Sequence, residues 1–451
     1  MLTICRYAMY RIITIKLFVL LLAVNLLATD ARALPNIDTW HTDKGLKVLY
    51  VNAPELPIID LALTFDAGSA RDEGMSGVSS MMHSLLDKGT GKLNADDVAA
   101  KFEDVGAQFG VSVDLDRSSA TLRSLSDEEL FSNALDLYIK VVTKPSFPQR
   151  DFDREKKRLL IALEDSDQRP GTIVSRTFHQ MLYQDHPYSQ PSIGTKESVE
   201  KIKLKNIERF HKKNIVTDNS VLAIVGDVTR EQAQAIANKI SQNLAKGKKK
   251  EKISKVEPSI LEKKRVDFPS QQAHVRMGQT GIQRGHPDYF SLYVGNHVLG
   301  GGGFTSRLMK EIRSNRGLSY SVYSYFIPYE QPGPFMLGLQ TRVDQVAEAI
   351  EVCEQVLTDF IENGPTQEEL SLSKQSIING FPLRVDSNKD MLGYLSMIGY
   401  YNLPTSYLSE FIQNVEQVTL EDVKRAFRKH LDLGSFVTVV VGSEQTANQD
   451  A

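Results

Sequence analysis

The sequence LKNIERFHKKNIVTDNSVLAIVG, residues 204–226, is repeated without a gap as LEDVKRAFRKHLDLGSFVTVVVG, residues 420–442. Six of the 23 aligned positions are identical, and several others exchange one apolar residue for another. Each copy has the apolar spacing of a short helix, then a turn, then a continuous apolar run ending in glycine, which predicts a buried strand. A repeat at matching ends of two halves indicates that the chain arose by duplication.

Strand patterns and helix patterns form separate blocks within each half. In the first half, residues 45–51 and 58–65 read as strands, and residues 108–125 read as a hairpin. Helical periodicity covers residues 77–87, 95–105, 130–142 and 151–166. In the second half, Thr366 and Glu369 have the spacing of a capping box that opens a helix. Blocks that do not strictly alternate predict an α+β fold with two homologous halves, each a mainly antiparallel sheet packed with helices.

The two halves are joined by the lysine-rich stretch AKGKKKEKISKV, residues 245–256. A polyanion-binding patch and a solvated interdomain linker are both compatible with it, and its short length between two repeats favours the linker. We therefore predict an N-terminal domain at 34–245, a linker at 246–259, a C-terminal domain at 260–445 and a tail at 446–451.

The composition is that of an ordinary globular protein. The 451 residues are 41% hydrophobic and 24% charged, with a formal net charge of −3. This apolar content excludes extended disorder, and the near balance of charge gives no reason to expect nucleic acid as a partner.

Residues 1–33 have the pattern of a secretory signal peptide. Basic residues precede an apolar run at 17–28, and Ala31-Arg32-Ala33 places small residues at a cleavage site. The run is too short to cross a bilayer of ~30 Å as a helix, although an uncleaved anchor remains the alternative. We expect export, no stable membrane span after removal of the leader, and one remaining thiol, Cys353, without an internal disulfide.

One segment, GVSSMMHSLLDKGT at residues 77–90, follows the pair Gly68-Ser69 and ends in Lys88-Gly89-Thr90. In this setting it resembles the zinc-binding helix of the insulinase/pitrilysin metallopeptidases, specifically the two-domain bacterial type that is similar to the mitochondrial processing peptidase subunits. The resemblance extends along the mature chain through HPY at 186–188, VGD at 225–227, LGG at 299–301 and RGLSYSV at 316–322. It implies two homologous halves that face each other around a chamber.

The resemblance also implies that the zinc site is degenerate. The family's His-x-x-Glu-His positions fall on Ser80, His83 and Ser84, and the position of its third ligand falls on Ala162. A catalytic zinc needs three protein ligands, and neutral hydroxyls are poor ones. None of the nine histidines forms a helical metal pair with another, so we expect no metal and no catalytic residue in this chain. His83 is interpreted as a structural histidine rather than a base.

A second set of residues that the family uses, an arginine and a tyrosine, is present in this chain. The family has an arginine and a tyrosine that hold the substrate backbone, and these positions correspond to Arg313 and Tyr320. A planar charged fork and a phenolic donor suit that role, although a purely structural pair is the alternative. The resemblance also assigns Gly300, Gly301 and Gly302 to a substrate-side loop. No Lys-Ser/Thr pair follows these glycines, which excludes a Walker phosphate loop.

Together these features predict an exported, non-catalytic subunit of a zinc peptidase, placed by the resemblance in the periplasm of a Gram-negative bacterium. Its partner would be a zinc-bearing paralogous subunit, and the substrate a peptide or unfolded polypeptide. The alternative is a non-proteolytic binding or scaffold protein built on the same fold.

Overall fold

The structure, a computed structural model, describes residues 36–443. The predicted leader at 1–33 and the predicted tail at 446–451 lie outside the described residues. Within residues 36–443, no helix has both the length and the apolar character that crossing a membrane requires.

The described strands form two sheets and one short hairpin. In chain order they are β1 (Asp38–His41), β2 (Lys47–Asn52), β3 (Ile58–Phe65), β4 (Gly89–Thr90), β5 (Leu93–Asn94), β6 (Gln108–Val113), β7 (Ser118–Leu125), β8 (Ser220–Gly226), β9 (Glu262–Val266), β10 (Gln272–Thr280), β11 (Ser319–Phe326), β12 (Pro334–Arg342) and β13 (Val437–Val441). The first sheet has the order β1-β2-β8-β3-β7-β6, the second has the order β11-β12-β10-β13-β9, and β4 pairs with β5.

Helices flank these sheets. The α-helices of the described chain are α1 (Val78–Ser84), α2 (Ala95–Asp104), α3 (Glu128–Thr143), α4 (Gln149–Ser166), α5 (Pro170–Tyr183), α6 (Lys196–Lys201), α7 (Leu204–Asn214), α8 (Arg230–Asn243), α9 (Tyr289–Asn296), α10 (Val346–Asn363), α11 (Gln367–Gly380), α12 (Asn388–Tyr400), α13 (Phe411–Gln417) and α14 (Leu420–His430). Thr366 caps α11 with Glu369 as predicted, in a reciprocal capping box.

The two sheets share one topology, which confirms the predicted α+β fold with two homologous halves. In the first sheet β8 pairs parallel to β2 and antiparallel to β3. In the second sheet β13 pairs parallel to β9 and antiparallel to β10. The two copies of the repeat thus form the same helix and the same buried central strand, α7 with β8 and α14 with β13. The extra edge strand β1 has no counterpart in the second sheet.

Each sheet is covered by a helix that comes from the other half of the chain. Helix α5 packs on β10 and β13 of the second sheet, whereas α12 packs on β2, β3 and β8 of the first. The contact of α12 is close, because a Cβ added at Gly399 would lie 2.4 Å from a methyl group of Val221. This exchange explains why the chain from Ile37 onward forms one compact unit. The predicted domain limits themselves stay predictions.

A buried carboxylate in the β6–β7 turn ties the two halves together. Asp116 is fully buried and accepts hydrogen bonds from the hydroxyl of Tyr188, from the hydroxyl of Tyr401 at 2.7 Å and from the backbone N–H of Glu330 at 2.7 Å. We call this group the Asp116 clamp. Burial raises the pKa of Asp116 to about 6, although the three donors favour its charged form. The turn of the first half is thereby fixed to α12 and to the β11–β12 connection of the second.

The lysine-rich linker is less solvated than the sequence predicts. Its lysines at 246, 248 and 249 are exposed. Ile253 and Val256, however, are buried in the core cluster that α5 forms with β13. The backbone N–H of Gly247 also donates to Asp218 at 2.8 Å. The prediction failed here because two buried apolar side chains are enough to anchor a segment whose composition is dominated by charge.

Replacing Asp116 with asparagine tests the clamp. The amide oxygen cannot accept from all three donors, so at least one buried donor loses its partner, which typically costs about 1–3 kcal/mol. We expect the free energy of unfolding, measured by urea denaturation, to fall by about 2 kcal/mol. The matched control is Asp104→Asn at an exposed position of α2, which should change stability little. Equal stability of the two variants would contradict the role of the clamp.

Candidate functional site

Helix α1 occupies the place that the sequence assigns to the zinc-binding helix. A buried carboxylate satisfies its N-terminus, because Asp72 accepts hydrogen bonds from the backbone N–H groups of Gly77 at 2.7 Å and Ser79 at 3.0 Å. Burial raises the pKa of Asp72 to about 7, and the two backbone donors oppose that shift. The helix is anchored in the core by Met81 and Met82, which are both buried. Its position therefore does not depend on a metal.

The positions of the family's two histidine ligands are occupied by hydroxyls already bonded to backbone. Ser80 Oγ donates to the carbonyl of Ser192 at 2.6 Å, and Ser84 Oγ donates to the carbonyl of Met81 at 2.9 Å. Residues 191–194 lie against this helix, since a Cβ added at Gly77 would come within 2.8 Å of the Ile193 carbonyl oxygen. Ser80 and Ser84 are both half-buried, and their hydroxyls are already hydrogen-bonded to backbone carbonyls.

The third ligand position also offers nothing to a cation. Ala162 lies exposed on α4 and carries no donor atom. Glu164, two residues further on, points to a different partner, because it is bonded to the ammonium group of Lys196 at 2.7 Å. The residues at these positions do not fit a catalytic zinc, and this chain has no route to metal-assisted hydrolysis through α1.

His83, at the family's catalytic-base position, is enclosed in the core. Its side chain is fully buried, its Nδ1–H donates to the Ser79 carbonyl at 2.9 Å, and Nε2 has no hydrogen-bond partner. Burial lowers the pKa of His83 to about 4, so the ring is neutral near pH 7. It has no access to a substrate and acts as a helix-packing residue, which agrees with the sequence-based interpretation.

Arg313 and Tyr320 are brought together as the sequence predicts, with a third side chain that the prediction missed. The Arg313 guanidinium carbon lies 4.1 Å from the Tyr320 ring centroid and 4.8 Å from that of Phe304. Its Nη1 also donates to the Tyr320 carbonyl at 3.1 Å. We call these three residues the Arg313 stack. Tyr320 is 80% exposed and Phe304 is 72% exposed, so the stack forms an open aromatic and cationic surface.

A β-bulge directs Tyr320 outward. Ser319 faces Thr341 and Val322 faces Leu339, so Tyr320 and Ser321 together stand opposite the single residue Gln340. An extra residue of this kind bends the strand and re-aims a side chain, and such bulges are common beside functional sites. Arg313 itself lies on the π-helical segment Met309–Asn315, another local irregularity that is frequent at functional sites.

The glycine loop is packed rather than open. Gly300 is buried in the π-helical segment His297–Gly301, and a Cβ there would lie 2.4 Å from Ser324 Oγ. Gly301 and Gly302 are half-buried beside it. Only Gly303 combines a positive φ of 62° with open space, and it precedes Phe304 of the Arg313 stack. The direct substrate contacts predicted for Gly300, Gly301 and Gly302 stay a prediction.

Sequence reasoning missed one cluster of metal-ligating side chains. His286, Asp288 and His430 each place one ligand atom within 4.8 Å of the others. Lys429 Nζ and His430 Nε2 both lie 2.8 Å from the same oxygen of Asp288, and the Lys429 hydrogen bond is the main cause that lowers the pKa of Asp288 to about 2. A neighbouring ammonium opposes a second cation, so we interpret the cluster as an ion-pair connection between α14 and α9. His286 and Asp288 are close in sequence, but His430 lies 142 residues beyond Asp288, so no local spacing reveals the cluster.

These observations define a class: an α+β chain built like a two-domain zinc peptidase, with the metal-ligand positions replaced. The comparisons agree. Residues 47–196 match the family description "Insulinase (Peptidase family M16)", and residues 201–377 match "Peptidase M16 inactive domain". The chain belongs to the insulinase family, peptidase family M16, and is an inactive, peptidase-like member of it.

Individual relatives cover nearly the whole chain. A crystal structure described as a peptidase M16 inactive domain from Pseudomonas fluorescens is 39% identical, covers 91% of this chain and 98% of its own, and superposes with a TM-score of 0.88. A Helicobacter pylori relative called "Non-peptidase homolog YmxG" is 26% identical over 402 residues, covering 88% of this chain and 92% of its own length. A Bacillus subtilis relative called "Uncharacterized zinc protease YmxG" is 23% identical, covering 87% and 95%.

We predict that the purified chain binds zinc no more tightly than about micromolar, because Ser80, Ser84 and Ala162 replace three strong ligands. Metal analysis after extensive dialysis measures the zinc retained. Asp288→Asn serves as the control, since it disables the cluster that includes His286 and His430. One zinc per chain retained by the wild type would contradict the prediction, and its loss in Asp288→Asn would assign that zinc to the cluster.

A second prediction concerns pH. The unfolded chain protonates His83 near pH 6.5, whereas the folded chain resists protonation until about pH 4. The contribution of neutral His83 to the free energy of unfolding is therefore fully present above pH 6.5. This contribution decreases by about 3 kcal/mol as the pH falls to about 4. His83→Leu should remove that part of the acid dependence in urea denaturation. His41→Leu, at an exposed position, should keep the wild-type profile, and an unchanged profile for His83→Leu would contradict the assignment.

Proposed function

We propose that this chain is the non-catalytic subunit of a two-chain zinc peptidase, in which Arg313 and Tyr320 contact a substrate bound at the zinc of a paralogous partner. The observation that carries the proposal is an asymmetry between two sites. The serines at the ligand positions of α1 are half-buried and hydrogen-bonded within the chain, whereas the aromatic rings of the Arg313 stack are exposed and Tyr320 is directed outward by a bulge. A surface of exposed aromatic rings around a guanidinium is typical of a binding site.

The chemistry of the stack suits a peptide backbone. Arg313 offers a permanent charge with several N–H donors, and Tyr320, which is 80% exposed, offers a phenolic donor. Such donors can hold a carbonyl oxygen and stabilise the negative charge that develops on it during hydrolysis. β11 also stands at the end of its sheet, so its outer edge carries no neighbouring strand within the described residues. An extended peptide could add to this edge through main-chain hydrogen bonds.

The proposal assigns the missing parts to other molecules. The zinc, its ligands and the general base would belong to a partner with an intact His-x-x-Glu-His motif. Substrates would be peptides or unfolded polypeptides, because backbone contacts do not select a folded surface. We also propose that the complex works in the periplasm, on the strength of the signal-peptide pattern in residues 1–33. This chain would hydrolyse nothing by itself.

The test is a reconstituted assay with a fluorescence-quenched peptide and the co-purified zinc-bearing partner. Tyr320→Phe removes one hydroxyl and should lower turnover by about 10²–10³, the usual loss for one oxyanion donor. Arg313→Ala should lower turnover and also raise KM, since it deletes a charged anchor. Purification from the periplasmic fraction checks export separately, and absence from that fraction would contradict the export proposal alone.

Arg316→Ala is the matched control, because this exposed arginine lies in the same connection but outside the Arg313 stack. It should leave both kinetic constants unchanged. Size-exclusion chromatography establishes that every variant still assembles with the partner. Full activity of Tyr320→Phe and Arg313→Ala in an intact complex would contradict the proposal and favour a non-proteolytic scaffold on the same fold.

A further inference from the structure

A cavity of about 390 Å³ lies in the second half, away from α1. Its walls come from α9, from the π-helical segment His297–Gly301 and from the end of β11. Two arginines, Arg284 and Arg384, line it together with aromatic residues, among them Tyr289, Tyr293 and Phe326. No aspartate or glutamate is among the lining residues. The lining therefore combines two guanidinium groups with aromatic rings and contains no carboxylate.

Arg284 has an unsatisfied buried donor. Its Nε is buried and has no hydrogen-bond partner in the structure. Its guanidinium is positioned over the Tyr401 ring, 5.5 Å from the centroid, and its backbone N–H donates to the Tyr329 carbonyl at 2.7 Å. A buried donor on a charged group costs free energy unless a ligand, an ion or water satisfies it. The stacking holds the guanidinium in place but supplies no acceptor.

The second arginine reinforces the charge at the rim. Arg384 is exposed and donates through Nη1 to the Tyr293 hydroxyl. The rings of Tyr289 and Tyr293 stack beside it with centroids 5.8 Å apart and an interplanar angle of 12°. Two guanidinium groups without a carboxylate in the lining suit an oxyanion, and stacked rings suit an apolar or aromatic body attached to it.

We propose that this cavity binds an organic carboxylate carried on an aromatic or apolar group, with Arg284 and Arg384 as the anion contacts and the tyrosine rings as the wall for the body. Such a group occurs on free aromatic acids and at the C-terminus of a peptide that ends in an apolar residue. The site is separate from the Arg313 stack and needs no partner subunit. It can therefore fail or succeed independently of the proposed peptidase role.

Isothermal titration calorimetry on the full chain tests the site with four probes: N-acetylphenylalanine, its neutral amide, the peptide Ac-Ala-Ala-Ala-Phe with a free carboxylate, and inorganic phosphate. We expect at least one of the two free carboxylates to bind with a Kd in the millimolar range or lower. Saturation by the amino-acid probe alone indicates a free acid, and tighter binding of the peptide indicates a peptide terminus. The amide and inorganic phosphate should bind at least tenfold more weakly.

Four variants separate charge recognition from folding. Arg284→Met and Arg384→Met should each weaken carboxylate binding by about tenfold or more, since each removes a charge-assisted hydrogen bond. Arg284→Lys keeps the charge and should lose less affinity than Arg284→Met, which guards against a fold defect in the methionine variant. Arg316→Met, outside the cavity, should bind like the wild type. The proposal is overturned if no carboxylate binds, if the amide or phosphate binds equally well, or if neither methionine variant weakens binding.

Discussion

Each half of this protein needs the other half to bury its own sheet. Helix α5 leaves the first half and packs on β10 and β13, and α12 returns from the second half to pack on the first sheet. A sheet face without its covering helix would expose apolar side chains to water, at roughly 25 cal/mol per Å². The exchange therefore couples the folding of both halves, and the Asp116 clamp lies where the first half's β6–β7 turn meets α12.

The contacts of helix α1 explain how the fold is maintained without a metal site. Helix α1 is held by buried methionines and by the Asp72 cap, and neither depends on a zinc ion. Serines at the ligand positions find acceptors in neighbouring backbone, so no polar group is left unsatisfied there. The only orphaned atom on α1 is Nε2 of His83, whose cost is reduced because the ring stays neutral. The fold does not require the metal-binding residues, because other side chains anchor helix α1.

The sequence predicted the features that local patterns encode. The repeat, the β6–β7 hairpin, the capping box at Thr366 and the adjacency of Arg313 and Tyr320 all depend on residues close together along the chain. The exchange of α5 and α12 was not predicted, because an amphipathic helix specifies that a face is buried but not which sheet buries it. Phe304 and the His286, Asp288 and His430 cluster were missed for the same reason. Their contacts are made by tertiary structure, and no spacing in one sequence records them.

The Arg313 stack has a structure that a substrate could displace at small cost. In the isolated chain the guanidinium is held by two exposed rings and by one backbone carbonyl. An exposed cation–π contact contributes about 0.5–1 kcal/mol, and a partly solvated hydrogen bond contributes a similar amount. A charge-assisted hydrogen bond to a substrate in a closed, water-poor interface is worth more than either contact. In the proposed complex, the resting stack would therefore keep Arg313 over the Tyr320 ring without holding it so strongly that a peptide could not recruit it. A buried ion pair in the same place would have required a far larger rearrangement.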